Sequence, residues 1–273
     1  MLEKIRRASM MTSMPFLSDR DYITECLAGM PVDCFGMHLG ETAPLIFLMH
    51  GRGGYRQHMH EQCRRFASEG FAALCVDQRN HGPRTIDPLC NQTNRPAVDM
   101  YGVIVGTAMD ATLLADLVPA SLGIGKGRLG IAGTSLGGHV AHMALGLSDR
   151  FDAAVNIIGS GNYAQLMRLR APRINIEESA FADFYPPELD AMVRRMDPIS
   201  HPERFSDRPL LMLNGADDDL VQPECNRHFF EAALPHYAHP ERLRLVEIPG
   251  VKHETTPAMW DMTREWFRRW LFC

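Results

Sequence analysis

The chain has 273 residues, enough for one large α/β domain or two small ones, and its 45% apolar content suffices to bury a sizeable core. A formal charge of −5 shows no basic excess, which argues against nucleic acid or an anionic membrane as partner. No apolar run approaches the roughly 18 residues that span a bilayer, and residues 1–18 carry Lys4, Arg6 and Arg7 without a continuous apolar stretch, so neither a membrane span nor a secretory leader is expected.

Residues 1–20 are polar and mixed, with helical character near the start. Tyr22–Ala28 and Val32–Leu39 read as two short strands joined at Gly29-Met30-Pro31. Leu45–Met49 is a continuous apolar run, as expected of a strand buried on both faces, and His50-Gly51-Arg52-Gly53-Gly54 ends it. A helix from Tyr55 to Ser68 stops at Gly70, and Phe71–Val76 is the next buried strand. Residues 84–100 are polar and rich in Pro and Asn, which predicts a long surface loop before a helix from about Ala108 to Leu117.

Leu129–Thr134 is a further strand, followed by an apolar helix from about Leu136 to Leu147 and a strand over Ala153–Ile158. Residues 162–206 break the rhythm and are too long for a plain connection, so they are expected to form a helical cap inserted into a single domain spanning 1–273, with one helix over Pro187–Arg195. Leu210–Asn214 and Leu243–Ile248 are the last strands, separated by a helix ending near Leu234, and an amphipathic helix over Pro257–Leu271 closes the chain. Strands alternating with helices predict an α/β fold with a mostly parallel sheet of about eight strands and helices on both faces. The chemistry of such sheets sits at the carboxyl ends of the strands.

Gly133-Thr134-Ser135-Leu136-Gly137 stands at a strand-to-helix corner. A serine pinched between glycines at so tight a turn is a nucleophile elbow, its hydroxyl presented above the sheet. A serine hydroxyl is a poor nucleophile at neutral pH and needs a base held by a carboxylate. Among twelve histidines, His253 alone follows the final strand and precedes the final helix, which makes it the candidate base. Asp217, Asp218 and Asp219 all lie in the turn after a late strand; Asp218, three residues after Gly215 and three before Val221, is preferred and Asp217 is its main competitor.

An oxyanion needs two preorganised donors. The amide of Leu136 supplies one, and Arg52, with Gly53 as the alternative, supplies the other from the loop after Leu45–Met49. The Arg52 side chain also has the reach for a substrate carboxylate or phosphate, while His50 braces the loop. His50, Gly53 and Tyr185 of segment 162–206 are the candidate substrate-binding residues. His58 and His60 point to different helix faces and lack a third ligand, so no metal is expected. Seven cysteines, odd in number and without a Cys-x-x-Cys pair, predict reduced thiols in a cytoplasmic protein.

Met49-His-Gly-Arg-Gly-Gly54, Asp77-x-Arg-x-His-Gly82, Gly133-Thr-Ser-Leu-Gly137, Gly215-Ala-Asp-Asp218 and Gly250-Val-Lys-His253 resemble the successive motifs of the α/β-hydrolase superfamily. Asn80-His-Gly-Pro-Arg84, Gly123-Ile-Gly-Lys-Gly-Arg128 and Asp197-Pro-Ile-Ser-His201 bring the chain nearest to the dienelactone-hydrolase-like and small bacterial carboxylesterase group. Dienelactone hydrolases proper use a cysteine where this chain has Ser135, and segment 162–206 exceeds a minimal member of that group. The resemblance implies a serine esterase with a cap, acting on a small-molecule ester without a cofactor. Amides and thioesters suit the same machinery, and a non-catalytic binding protein on this scaffold is the alternative from another class. Acyl size, leaving group and oligomeric state are left open.

Overall fold

Five buried strands form the centre of the computed structural model, which describes residues 21–85 and 96–272. They are β3 (Leu45–Met49), β4 (Ala72–Val76), β5 (Leu129–Thr134), β6 (Ala153–Ile157) and β7 (Leu210–Gly215), and every residue in them is buried. Continuous apolar sequence forms strands here because both faces of the sheet are covered by helices. With β1 (Tyr22–Leu27), β2 (Met30–Phe35) and β8 (Leu243–Ile248) they make an eight-stranded sheet in the order β1-β2-β4-β3-β5-β6-β7-β8. Pairs β1–β2 and β2–β4 are antiparallel and all others parallel. The predicted α/β fold class and strand number are therefore observed.

Side chains alternate across the sheet. Leu45, Phe47 and Met49 enter one apolar core, Ile46 and Leu48 the other. The first core packs under α2 (Pro96–Leu122) and α3 (Leu136–Leu147), and the second under α1 (His60–Ser68) and α8 (Pro257–Leu271). Between β6 and β7 stand α4 (Tyr163–Arg170), the short α5 (Phe181–Phe184) and α6 (Pro187–Met196), and α7 (Glu224–Ala233) joins β7 to β8.

Several boundaries differ from the sequence reading. The first hairpin turns at Ala28-Gly29, where φ is 50° and 77°, the two-residue loop that matches strand twist. Strand β2 accordingly begins at Met30 and ends at Phe35. The helix expected from Tyr55 opens as a 3-10 turn over Arg56–Met59.

The largest difference is α2, which starts at Pro96 and runs for 27 residues rather than from about Ala108. Val103 and Val105 are buried in it besides Tyr101, Ile104 and Ala108, and its exposed positions Met109 and Leu113 are apolar as well, so its sequence lacks the one-sided apolar stripe that marks a surface helix. Residues 86–95, the middle of the expected loop, lie outside the described residues, as does the N-terminal segment 1–20. By length and composition α2 is apolar enough to cross a membrane, which corrects the expectation that no segment is. Its most apolar window is 61% buried inside the protein, as in a core helix.

Candidate active site

Strand β5 delivers Ser135 to a corner that only small neighbours permit. Ser135 has φ 52° and ψ −113°, a strained conformation for a residue with a side chain. Its N–H donates to the Ile157 carbonyl at 2.8 Å, which ties the corner to β6. A Cβ on Gly133 would strike the Gly137 carbonyl, and one on Gly137 would strike the carbonyls of Met49 and His50. The glycines thus let the elbow close against the end of β3.

The loops after β7 and β8 meet in the same way. The Asp217 N–H donates to the Val251 carbonyl at 3.0 Å, and the Ala216 N–H to Ile248 at 2.9 Å. Asp218 turns inward, and its Oδ1 accepts the N–H groups of Leu220 and Val221, each at 2.9 Å. Its Oδ2 lies 2.7 Å from Nδ1 of His253, and Nε2 of His253 lies 2.8 Å from Oγ of Ser135. Asp217 and Asp219 are exposed, and Asp218 is the one of the three that is buried and touches the imidazole. With Nδ1 protonated toward Asp218, Nε2 is free to take the serine proton, the arrangement needed for nucleophilic attack on a carbonyl.

A cavity of about 430 Å³ opens over these groups. Gly51, Arg52, Thr134, Ser135, Leu136 and His253 line it on one side. Met100 of α2, Ile158, Arg170 of α4, Leu220 and Val221 complete its walls, with Glu254 and Thr255 at its edge. Gly51 lies against the elbow, since a Cβ built on it would sit 3.8 Å from the Ser135 Cβ. Arg52 and Leu136, the expected oxyanion residues, therefore both face the cavity beside Ser135.

The three expected substrate-binding residues are placed elsewhere. His50 is fully buried beneath the loop, with Nδ1 2.8 Å from the Gly51 carbonyl and Nε2 accepting the Gln78 N–H at 3.1 Å. Burial pushes its imidazole down to about 4, so it is a neutral brace. Gly53 is exposed with φ 73° and does not line the cavity. Tyr185 is buried, stacks on Phe181 with centroids 5.7 Å apart, and does not line the cavity either.

Of the two histidines of α3, one reaches the site. His139 lines the cavity and its Nδ1 accepts the Ser160 N–H at 2.9 Å; burial lowers it to about 4. His142 packs edge-on between Phe205 and Phe229. Met100, Ile158 and Arg170 escaped the sequence reading. Met100 falls inside the segment read as loop, and neither the spacing of α4 nor the strand pattern of β6 tells which side chain turns toward Ser135.

Among the described residues one group could hold a metal ion: Asp33, His60 and Cys75, whose ligand atoms lie within 4.8 Å of one another. Asp33 Oδ2 is already engaged by His60 Nε2 at 2.8 Å and by the Arg56 guanidinium at 3.0 Å. The cluster joins β2, β4 and α1 and is separated from β5 by β3. The guanidinium neutralises the carboxylate that a cation would need.

The model of the alpha/beta hydrolase family matches residues 45–272 of this chain. The putative esterase YitV of Bacillus subtilis is 27% identical over 234 residues, 84% of this chain and 90% of YitV. The esterase YjfP of Escherichia coli is 27% identical over 208 residues, 75% of this chain and 80% of YjfP. The crystal structure of TT1662 from Thermus thermophilus superposes with a TM-score of 0.73 at 28% identity, over 93% of this chain and all of that one.

Proposed function

Since the chain belongs to the alpha/beta hydrolase family, we propose that this hydrolase cleaves carboxylic esters of small molecules through an acyl-enzyme. Ser135 Oγ attacks the acyl carbon while His253 Nε2 takes its proton. The oxyanion that forms is held by the amides of Leu136 and Arg52. The tetrahedral intermediate collapses, and His253 returns the proton to the leaving alkoxide. Water, deprotonated by the same imidazole, then releases the acid. Asp218 fixes the tautomer of His253 and balances its transient charge. The balance closes without a cofactor.

The hydrogen-bonded series Ser135–His253–Asp218 at the wall of the cavity carries this reading. Two relatives named as esterases, YitV and YjfP, support the ester over other acyl substrates. The helical segment between β6 and β7 serves as the cap, bringing Arg170 to the cavity. Expression of Ser135→Ala tests the reading: hydrolysis of p-nitrophenyl acetate and labelling by a fluorophosphonate should both disappear. Undiminished hydrolysis by that variant would remove Ser135 from the mechanism.

A further inference from the structure

Arg170 ends α4 and Arg52 follows β3, yet both side chains reach the wall of the cavity that holds Ser135 and His253. Neither has a hydrogen-bond or ion-pair partner among the described residues. Arg52 is exposed and Arg170 half-buried, and Arg170 contrasts with the other sheltered arginines. Arg56 binds Asp33 and Asp77, Arg84 binds Asp110, and Arg264 binds Glu69 and Asp261. Arg208 and Arg242 donate to main-chain carbonyls. Arg170 is the one arginine described that is withdrawn from solvent without such a partner.

Withdrawing a guanidinium from water without a counter-charge costs free energy, and placing a second one beside it adds repulsion. Burial, and then the neighbouring Arg52 cation, push the Arg170 guanidinium below its usual range. Among the described residues the anionic groups nearby do not relieve this. Glu254 is exposed at the cavity edge, and Asp218 is committed to His253 and two main-chain amides. The two arginines, with Met100, also line a second pocket of about 30 Å³, room for roughly one water molecule. Pro96, Ala97, Met167, Ile174 and Phe184 complete its lining, and none of them is acidic. The remaining lining around the arginines is therefore apolar and supplies no counter-charge.

We propose that Arg52 and Arg170 form an anion subsite, so that the preferred substrate is an ester bearing a carboxylate or phosphate group in addition to the scissile bond. Both anions present paired oxygens to a guanidinium fork. The main-chain amide of Arg52 serves the oxyanion while its side chain serves the substrate charge, which couples recognition to the catalytic loop. The inference rests on the ester-hydrolase reading for the nature of the scissile bond, and on the cavity alone for the charge.

Calorimetry on the Ser135→Ala variant tests the charge without requiring turnover. Monoethyl glutarate should bind at least about tenfold more tightly than ethyl valerate, and Arg170→Leu should erase most of that ratio while Arg170→Lys keeps part of it. Arg52→Leu should lower it as well. Equal binding of the two esters, or a ratio indifferent to both leucine substitutions, would overturn the subsite. Competition by acetate and by inorganic phosphate identifies the anion, the stronger competitor marking the group the site takes, and competition by neither also overturns it. Hydrolysis of the same two esters by the unsubstituted protein is measured in parallel. If neither ester is cleaved but the binding ratio holds, the ester-hydrolase reading fails and the subsite stands.

Discussion

Asp218 reaches His253 with one carboxylate oxygen and two main-chain amides with the other. The amide pair fixes the rotamer, so the oxygen at 2.7 Å from Nδ1 is held there without the imidazole. Asp218→Asn is the informative change. The two amides require an acceptor, so the asparagine oxygen takes the Oδ1 position and its NH₂ faces Nδ1. His253 must then carry its proton on Nε2, where it cannot accept one from Ser135. The turnover of p-nitrophenyl acetate should fall about 10⁴-fold while the melting temperature changes little. Asp217→Asn and Asp219→Asn, whose side chains are exposed, should stay within about twofold of the parent.

The elbow separates steric from conformational demands on glycine. A methyl group on Gly137 meets two carbonyls of the β3 end, which cannot swing aside. Gly137→Ala should cost about 3 kcal/mol, a loss of roughly 6–12 °C in Tm, and should displace the Leu136 amide and lower kcat. Gly53 has φ 73° but nothing within 4 Å of a built Cβ. Gly53→Ala should cost only the left-handed backbone penalty of about 1–2 kcal/mol. Thermal melts of the two variants side by side check the ordering; equal losses would mean that Gly137 is not sterically confined.

The residues joined at the site were legible because each lies in the turn after a strand of the sheet, Ser135 after β5, Asp218 after β7 and His253 after β8. Ser135, Asp218 and His253 needed only strand ends and order to be found. Even the choice among three adjacent aspartates followed from turn spacing. Arg170 and Tyr185 were not legible in that way. Both belong to the segment between β6 and β7, where helix length and spacing leave side-chain direction to contacts with distant parts of the chain. Tyr185 is directed into packing and Arg170 into the cavity, a distinction that α4 and its surroundings make together. Helix α2 was obscured for another reason: its exposed face carries the apolar Met109 and Leu113, so no one-sided stripe marks it, and its polar approach resembles a loop.

Stability should depend on pH through opposing buried groups. Asp197 is buried, accepts the Tyr163 N–H at 2.8 Å, and is pushed up to about 8 by burial. Its folded value lies above its unfolded one, so the folded state holds a proton that the unfolded state has lost. Its contribution is greatest below about 4 and is lost as pH rises toward 8. His50 and His139 are lowered to about 4 and His142 to about 3, mainly by burial. Their contribution is present above the unfolded histidine value of about 6.5 and is lost on acidification. Of these four, only Asp197 titrates between about 6.5 and 8. Asp197→Asn keeps an acceptor for Tyr163 and should flatten the decline of Tm across that interval. An unchanged slope would show that Asp197 is ionised in the fold throughout.

Arg56 stands between two buried carboxylates at the base of the loop that carries Arg52. Its guanidinium lies 2.6 Å from Asp77 and 3.0 Å from Asp33, and its N–H donates to Asp77 at 2.8 Å. Both carboxylate side chains are essentially inaccessible to water. Arg56→Met preserves the aliphatic stem and removes the positive charge, leaving Asp77 with one main-chain donor and Asp33 with Thr24 and His60. Breaking a buried pair from one side costs about 3–5 kcal/mol, because the remaining charge is uncompensated. Denaturant melts of Arg56→Met should show that loss. Asp33→Asn introduced into the same variant should recover part of it, since one of the two orphaned charges is then gone. Additive losses in the double variant would mean that the Arg56–Asp33 contact contributes nothing of its own.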